Sequence, residues 1–224
     1  LIVPIGRWVL EQACAQLAAW AKRPDRRHLS IAVNVSVRQF RHPDFVDEVL
    51  TAIKHAGIPP EKLKLELTES LLADGIEVTV AKMGSLKELG VTLSLDDFGM
   101  GYSSLSYLKR LPLDQLKIDR EFVKDILTDA NDAAIARMII RLAQSMELSV
   151  SAVGVEPKEQ RGGLERAGEG AAAVFPRDRG EELGLLGDLA EGERMRLRDP
   201  LPQRAAERRP RARRARGCCA RPRP

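Results

Sequence analysis

The stretch SLDDFGMGYSSLSYLKRLPLDQLKID, residues 94–119, decides how the chain is interpreted. It contains two apolar runs, of which the first ends at Asp96 and Asp97 and the second contains Lys117. Two adjacent carboxylates at the end of a buried strand repel each other, and one of them stays protonated unless a cation compensates. The pattern therefore predicts a positive charge beside Asp96 and Asp97.

The first 160 residues alternate between helical and strand patterns. Apolar residues recur at helical spacing in 4–23, 42–60, 78–90 and 129–148. Short β-branched or alternating runs occur at 28–37, 62–70, 91–97, 113–119 and 149–156. This order is typical of βα units that build a mainly parallel sheet, so we predict an α/β fold.

The pleat of the predicted strands distinguishes an open doubly wound sheet from a closed βα barrel. One alternate set in each strand is aliphatic, as in Leu63, Leu65 and Leu67. The other set is small or polar, as in Ala32/Asn34/Ser36, Thr92/Ser94/Asp96 and Gln115/Lys117/Asp119. Since a sheet covered by helices on both faces is apolar on both, this pattern favours a TIM-like (βα) barrel. Such barrels build their sites at the C-terminal ends of the strands.

Polar side chains from four predicted strands are candidates for one site: Asn34, Glu66, Asp96 with Asp97, and Lys117. Carboxylate and amide oxygens are hard ligands that suit Mg²⁺ or Mn²⁺, and these strands contain no thiol or imidazole that would favour zinc. Each residue alone has an ordinary structural explanation, such as a solvated turn or a surface ion pair. Their joint occurrence at equivalent strand ends favours a functional site.

Four segments resemble the EAL domain family of bacterial cyclic-di-GMP phosphodiesterases in order and spacing. They are VNVSVRQF (33–40), LELTES (65–70), LDDFGMGYSSLSYLKRLPLDQLKIDREFV (95–123) and AVGVEPKEQ (152–160). The resemblance implies a barrel that hydrolyses one phosphodiester bond of cyclic-di-GMP to linear pGpG with Mg²⁺ or Mn²⁺. It also implies homodimerisation in the intact family and an upstream sensor or GGDEF-type domain as a possible neighbour.

The resemblance assigns roles to individual residues. Asn34, Glu66 and Asp96 would be metal ligands. Asp97 would contact both the metal and the attacking water. Lys117 would stabilise that water or the phosphate.

Two more glutamates match the family, and three features depart from it. Glu69 would anchor the FGMGYSS loop after Asp97, and Glu156 would be the second, catalytic Glu of the A-E-G-V-E motif.

The Glu-Ala-Leu motif is absent, so the barrel is expected to lack its first strand. Val153 replaces the first Glu of A-E-G-V-E, a carboxylate that catalysis requires. Beyond Gln160 the family pattern stops, so the last strand or strands are also expected to be missing. The sequence predicts an impaired phosphodiesterase, with a non-catalytic cyclic-di-GMP-binding or dimerisation module as the alternative.

The last part of the chain has a different composition. Residues 161–224 contain 16 Arg and no Lys against 10 acidic residues, so this tail carries about +6 and residues 1–160 about −2. We predict a partial EAL barrel over 1–160 and a non-homologous tail over 161–224, either disordered or translated out of frame. A third hypothesis is a basic nucleic-acid-binding tail. Residues 204–224 contain no aromatic residue for base stacking, so no specific nucleic acid is expected.

Composition also bears on the compartment. No window of about 18 uncharged apolar residues occurs, and the N-terminus lacks the pattern of a signal peptide. Cys14, Cys218 and Cys219 form neither a disulfide framework nor a zinc spacing. We therefore expect a cytoplasmic location, while tethering of a longer parent protein to a membrane stays open. Because the chain begins in mid-pattern without Met, we interpret it as a fragment.

Overall fold

Parallel strands alternate with helices in the part of the chain that the computed structural model describes, which is residues 1–73, 75–99, 105–155, 160, 162, 164 and 182–184. The strands are β1 (Ser30–Val35), β2 (Leu63–Thr68), β3 (Thr92–Phe98), β4 (Gln115–Ile118), β5 (Ser149–Ala152) and β6 (Glu182–Gly184). The helices are α1 (Ile2–Ala21), α2 (Val37–Phe40), α3 (Phe45–Ala56), α4 (Ile76–Glu88), α5 (Leu105–Leu108), α6 (Arg120–Lys124) and α7 (Ala130–Ser145). Short 3-10 helices span Pro60–Lys62 and Glu69–Ala73.

The six strands form one open sheet in the order β5-β4-β3-β2-β1-β6. Every neighbouring pair is parallel, so the C-terminal ends of the strands lie at one edge. Strands β1 to β5 are adjacent in chain order, and a helix follows each of β1 to β4. The predicted α/β fold with a parallel sheet is confirmed.

The aliphatic set of each strand forms the core under the helices, as the alternation predicts. Leu63, Leu65 and Leu67 on β2 are fully buried, and so are Leu93 and Leu95 on β3. The core continues into the helices through Leu10, Leu17, Phe45, Val49, Met83, Leu86, Ile139 and Ile140. Burial of this apolar set fixes which side of every strand faces the helices and leaves the polar set on the inner face.

Asp114 holds the N-terminal ends of three strands together. Its carboxylate accepts hydrogen bonds from the Leu93 amide (2.8 Å) and from Lys87 Nζ (2.5 Å). Its backbone carbonyl accepts from the amide and the hydroxyl of Ser149, each at 2.9 Å. These contacts set β3, β4 and β5 in register at the end opposite the candidate site.

The tail contributes one short strand to the sheet. Glu182–Gly184 pairs in parallel with Ser30, Ile31 and Ala32 of β1, on the side away from β2. The sequence predicts that the tail over 161–224 is either disordered or translated out of frame. Residues 182–184 of it form a strand, and most of the tail lies outside the described residues, so that prediction stays untested. Within the described part of the chain, no helix is long and apolar enough to cross a bilayer.

We predict that removing residues 181–224 exposes the edge of β1 and promotes self-association. A strand edge with unpaired amides and carbonyls is a template for pairing with another chain. Amide hydrogen exchange across residues 30–35 should accelerate, and size-exclusion chromatography with light scattering should show larger species.

The same change should follow from Leu183→Pro or Glu182→Pro, because proline removes a ladder donor. Glu193→Pro, which lies in the tail but outside the strand, serves as the control. Unchanged exchange and unchanged mass in the truncated chain would contradict this role of β6.

Candidate active site

Three of the predicted site residues meet on the inner face of the sheet. Lys117 Nζ lies 2.8 Å from Glu66 Oε1 and 3.0 Å from Asp96 Oδ2. The three side chains are only 13%, 8% and 14% exposed, respectively. Residues from β2, β3 and β4 therefore share one buried ion cluster, in which Lys117 supplies the positive charge that the sequence predicts beside Asp96.

The stagger of the strands explains why Lys117 meets Glu66. In the ladder Glu66 lies opposite Ser94, and Ser94 lies opposite Gln115, which is two residues before Lys117. Side chains two strands apart thus meet after a step of two residues, as in the tilted strands of a barrel. The contact between Lys64 Nζ and Gln115 Oε1 (3.0 Å) repeats this relation two residues nearer the N-terminal ends of the same strands.

A β-bulge brings both aspartates to the same site. Leu95 pairs with Leu116 and Phe98 pairs with Ile118, so Asp96 and Asp97 together lie opposite the single residue Lys117. In a regular strand consecutive side chains point to opposite faces, and a bulge redirects one of them. Asp97 accordingly has a left-handed backbone with φ of 56°, and its amide donates to Asp96 Oδ1 (3.0 Å).

The Asp97 carboxyl lies in an acidic environment. Partial desolvation raises its pKa, and so do the charge of Asp96 and a hydrogen bond to Asp119, while Lys117 opposes these effects. Our sequence-based set of site residues did not include Asp119. It belongs to the same alternate set as Gln115 and Lys117, which is the signal that would have identified it.

Lys117 remains a cation despite its burial. Desolvation lowers its pKa, but the charges and hydrogen bonds of Glu66 and Asp96 outweigh this effect and raise the pKa overall. The ammonium therefore stays protonated at neutral pH and balances part of the acidic charge.

The loop after Asp97 begins at a point that is fixed from two sides. Glu69, only 7% exposed, accepts a hydrogen bond from the Gly99 amide through Oε2 (3.1 Å). Gly99 has φ of 106°, and a side chain there would clash with the Phe122 ring, whose edge is 2.9 Å from the Cβ position. Glu69 thus makes the contact that a loop anchor requires, while residues 100–104 lie outside the described residues.

The remaining predicted site residues do not take part in the ion cluster of Glu66, Asp96 and Lys117. Asn34 lies opposite Glu66 in the ladder and is exposed. Val153 follows β5, is 38% exposed, and donates its amide to the Ile118 carbonyl (3.1 Å). Glu156 lies outside the described residues.

The donor set fits a hard divalent cation in chemistry but only partly in arrangement. Asn34, Glu66 and Asp96 offer oxygen ligands on neighbouring strands, as Mg²⁺ and Mn²⁺ prefer. Lys117, however, lies between Glu66 and Asp96, where it already balances their charge. Among the described residues, no three His, Cys, Asp or Glu side chains are grouped to hold a metal ion.

Comparison with known families identifies this arrangement. The EAL domain model matches residues 1–171 of the chain. The chain belongs to the EAL domain family. The match extends beyond Gln160, where the sequence motifs stop, and the proposed boundary at residue 160 stays a prediction.

Two curated relatives from Pseudomonas aeruginosa are similar to this EAL domain. The bifunctional diguanylate cyclase/cyclic di-GMP phosphodiesterase MucR is 44% identical over 170 residues, which cover 75% of this chain and 24% of MucR. The cyclic di-GMP phosphodiesterase NbdA is 44% identical over 160 residues, covering 71% of this chain and 20% of NbdA. The chain thus spans about a quarter or less of these relatives.

Solved EAL structures share the fold. The MucR phosphodiesterase in complex with c-di-GMP has a TM-score of 0.71 at 43% identity, covering 75% of this chain and 68% of that one. The EAL domain of Mycobacterium smegmatis DcpA gives 0.69 at 40% identity, covering 73% and 74%. Klebsiella pneumoniae BlrP1 with manganese and cyclic-di-GMP gives 0.63 at 29% identity, covering 72% and 42%. The TIM-like fold class is therefore confirmed, and the sheet is open among the residues that the structure describes.

We predict that Asp97→Asn stabilises the protein at neutral pH. The substitution removes a carboxylate whose pKa is raised by partial desolvation and by Asp96 and Asp119, although Asp97 is an exposed residue. Asparagine also tolerates the left-handed backbone. The pKa of the Asp97 carboxyl is higher in the folded protein than in the unfolded protein. Its contribution to stability is therefore complete at pH values below the unfolded pKa, and it is lost as pH rises through the folded pKa. The gain in melting temperature should therefore be largest near neutral pH and vanish in acid.

Asp97→Ala is the matched control for the backbone. It also removes the charge, but it places a less tolerant residue at positive φ, so its melting temperature should lie below that of Asp97→Asn. A lower melting temperature for Asp97→Asn than for the wild type at pH 7 would refute the repulsion argument.

We predict that Lys117→Met destabilises the protein by about 3 kcal/mol, because it leaves two buried carboxylates without their cation. Urea unfolding at neutral pH measures the loss, and adding Glu66→Gln to the same chain should recover part of it. Since the pKa of Lys117 is raised, the wild type should retain this stabilisation at neutral pH and lose it as pH rises through that pKa. A loss below about 0.5 kcal/mol would show that the cluster contributes little.

Proposed function

We propose that this chain carries a cyclic-di-GMP phosphodiesterase site whose hydrolytic step is impaired. The observation that carries the proposal is the buried contact of Lys117 with Glu66 and Asp96 at the C-terminal ends of adjacent strands. The names of MucR and NbdA and the c-di-GMP complex of MucR support the substrate.

Each described residue of the site has a chemical task in this proposal. Asn34, Glu66 and Asp96 would hold the divalent cation, which when bound supplies Lewis-acid activation of phosphate and water. The positive charge of Lys117 stabilises the negative charge that builds up on the phosphoryl oxygens. In its ionised form, Asp97 would accept the proton of the attacking water.

The reaction breaks one bond for each bond that it forms. The water oxygen attacks one phosphorus of the cyclic dinucleotide, and the bond from that phosphorus to the ribose 3′ oxygen breaks. The proton taken from water is returned to the 3′ oxygen, so the product is the linear dinucleotide with a 5′ phosphate. The carboxyl that accepts the proton must therefore lie within hydrogen-bond reach of the water.

Two features of this chain support impairment. Val153 is an exposed aliphatic side chain at the end of β5, where it offers neither a ligand nor a proton acceptor. Asn34, the proposed ligand on β1, is an exposed residue, unlike the buried Glu66.

The alternative function is binding of cyclic-di-GMP without cleavage. It is favoured by the same ion cluster, because Lys117 already pairs with two of the carboxylates that a catalytic cation would need. Both functions use the same surface, so binding and hydrolysis must be measured separately.

Further parts of the proposal concern the cation, the oligomeric state, the neighbouring domains and the cellular location. We propose Mg²⁺ or Mn²⁺ as the cation, and the manganese complex of BlrP1 supports a divalent requirement. We also propose a homodimer, a neighbouring sensor or GGDEF-type domain in a longer protein, and a cytoplasmic location. The small share of MucR that this chain covers supports further domains.

The deciding experiment compares the wild-type chain, Val153→Glu and the MucR phosphodiesterase in Mn²⁺ buffer. Calorimetry measures cyclic-di-GMP binding, and chromatography measures pGpG release. We expect the wild type to bind the dinucleotide and to hydrolyse it at least about a hundredfold more slowly than MucR. Val153→Glu should raise the rate by restoring a carboxylate.

Val78→Glu is the matched control, because Val78 is a valine on α4 that is 63% exposed. It should leave the rate unchanged. A wild-type rate equal to that of MucR would refute impairment, and failure of the wild type to bind cyclic-di-GMP would refute the proposed function as a whole.

A further inference from the structure

Two serine hydroxyls are buried on the inner face of the sheet, close to the ion cluster along the strands. Ser94 on β3 is fully buried and Ser151 on β5 is 4% exposed. Neither hydroxyl oxygen has a hydrogen-bond partner among the residues that the structure describes. Buried polar groups in proteins are nearly always satisfied by protein or by ordered water, so these two hydroxyls indicate a bound partner.

Because of the stagger between the strands, both serines lie at the same height along the predicted barrel axis, which is called their level below. Ser94 pairs with Gln115, and Gln115 pairs with Ser149, which is two residues before Ser151. This is the same step of two residues across two strands that joins Lys64 to Gln115 and Glu66 to Lys117. By the same step, Ala32 on β1 belongs to the level of Ser94 and Ser151.

This level is filled by unusually small side chains. Alternate strands of a βα barrel normally fill each interior level with branched residues such as Val, Ile and Leu. Ala32, Ser94 and Ser151 provide far less volume, and two of the three carry a hydroxyl. An apolar cavity stays dry, whereas a polar one with two or more partners holds water.

The same level lies between two polar contacts from the other strands. The Glu66–Lys117 pair is one step nearer the C-terminal ends of the strands, and the Lys64–Gln115 pair is one step further from them. A lysine ammonium has three donors, and the contacts to Glu66 and Asp96 use two of them. The third N–H of Lys117 can serve a ligand at the level of the serines, since Ser151 is its neighbour in the ladder.

We propose that Ser94 and Ser151 bind an internal water molecule beside Lys117, and that this water accepts the third N–H of the ammonium. The two serines are then positioning residues that hold Lys117 between Glu66 and Asp96. The water site stands without the proposed function, while its effect on ligand binding rests on that function.

Water-oxygen magnetic relaxation dispersion of the full chain tests the proposal, because it detects water molecules that stay bound for longer than the protein tumbles. Ser94→Ala, Ser151→Ala and the double variant should each lower the amplitude by an amount equivalent to about one long-lived water. Ser85→Ala is the control, because its hydroxyl on α4 is exposed and donates to the Ala81 carbonyl one turn earlier.

The sign of the stability change gives an independent readout. If water satisfies both hydroxyls, each Ser→Ala variant removes a partner of that water and lowers the melting temperature. If the hydroxyls are buried without a partner, their removal relieves a desolvation cost and raises the melting temperature. An unchanged relaxation amplitude or a raised melting temperature overturns the proposal.

Two further measurements separate the water site from the function. A crystal structure of the wild-type chain should show a water within hydrogen-bond distance of both serine hydroxyls, and its absence overturns the proposal even if the variants fail to fold. Calorimetry should then show weaker cyclic-di-GMP binding by the double variant than by Ser85→Ala. If the wild type binds no cyclic-di-GMP, the proposed function fails while the relaxation data still decide the water site.

Discussion

The pairing of one buried ammonium with two buried carboxylates is the constraint on which the site depends. Glu66 and Asp96 lie on adjacent strands, and Lys117 on the next strand is within 3.0 Å of both. Carboxylates removed from water are costly to keep ionised, and a shared cation offsets this cost only when the geometry is close. The inner face of the sheet can therefore carry buried charges because each of them is paired with a charge on another strand.

The backbone at Asp97 is held in place by its surroundings. The bulge and the positive φ values at Asp97 and Gly99 are conformations that an isolated strand would not adopt. Glu69 fixes the Gly99 amide from one side and Phe122 packs against Gly99 from the other. Strain next to the ion cluster thus directs a second carboxyl to the site, and Glu69 of the 3-10 helix and Phe122 of α6 support it.

The sequence predicted those parts of the structure that depend on periodicity. The aliphatic alternation at Leu63, Leu65 and Leu67 identified the helix-facing side of β2, and the complementary set identified Glu66 and Lys117. It could not predict the bulge at Asp96 and Asp97, because the change of register depends on the pairing between β3 and β4.

Two other features depend on tertiary contacts. The strand Glu182–Gly184 consists of only three residues, and it forms because the edge of β1 is available for pairing. Asp119 belongs to the same polar alternate set as Gln115 and Lys117, but its pairing with Asp97 depends on the bulge. Local patterns therefore located the site, whereas long-range pairing determined its geometry.

The electrostatics of the site bear on the order in which it binds its ligands. The described groups that interact here include the carboxyls of Glu66, Asp96, Asp97 and Asp119 and the ammonium of Lys117, and Lys64 adds a second positive charge that interacts with Glu66. A cyclic dinucleotide carries two phosphate charges, so an acidic site repels it until additional positive charge is bound. The raised pKa of Asp97 relieves part of this repulsion by favouring its protonated form. Val153 adds no charge, so this site repels an anion less than a site with a fifth carboxylate would. For the same reason the site also binds a cation more weakly. In the proposed function, valine at position 153 would therefore favour binding over metal-dependent hydrolysis.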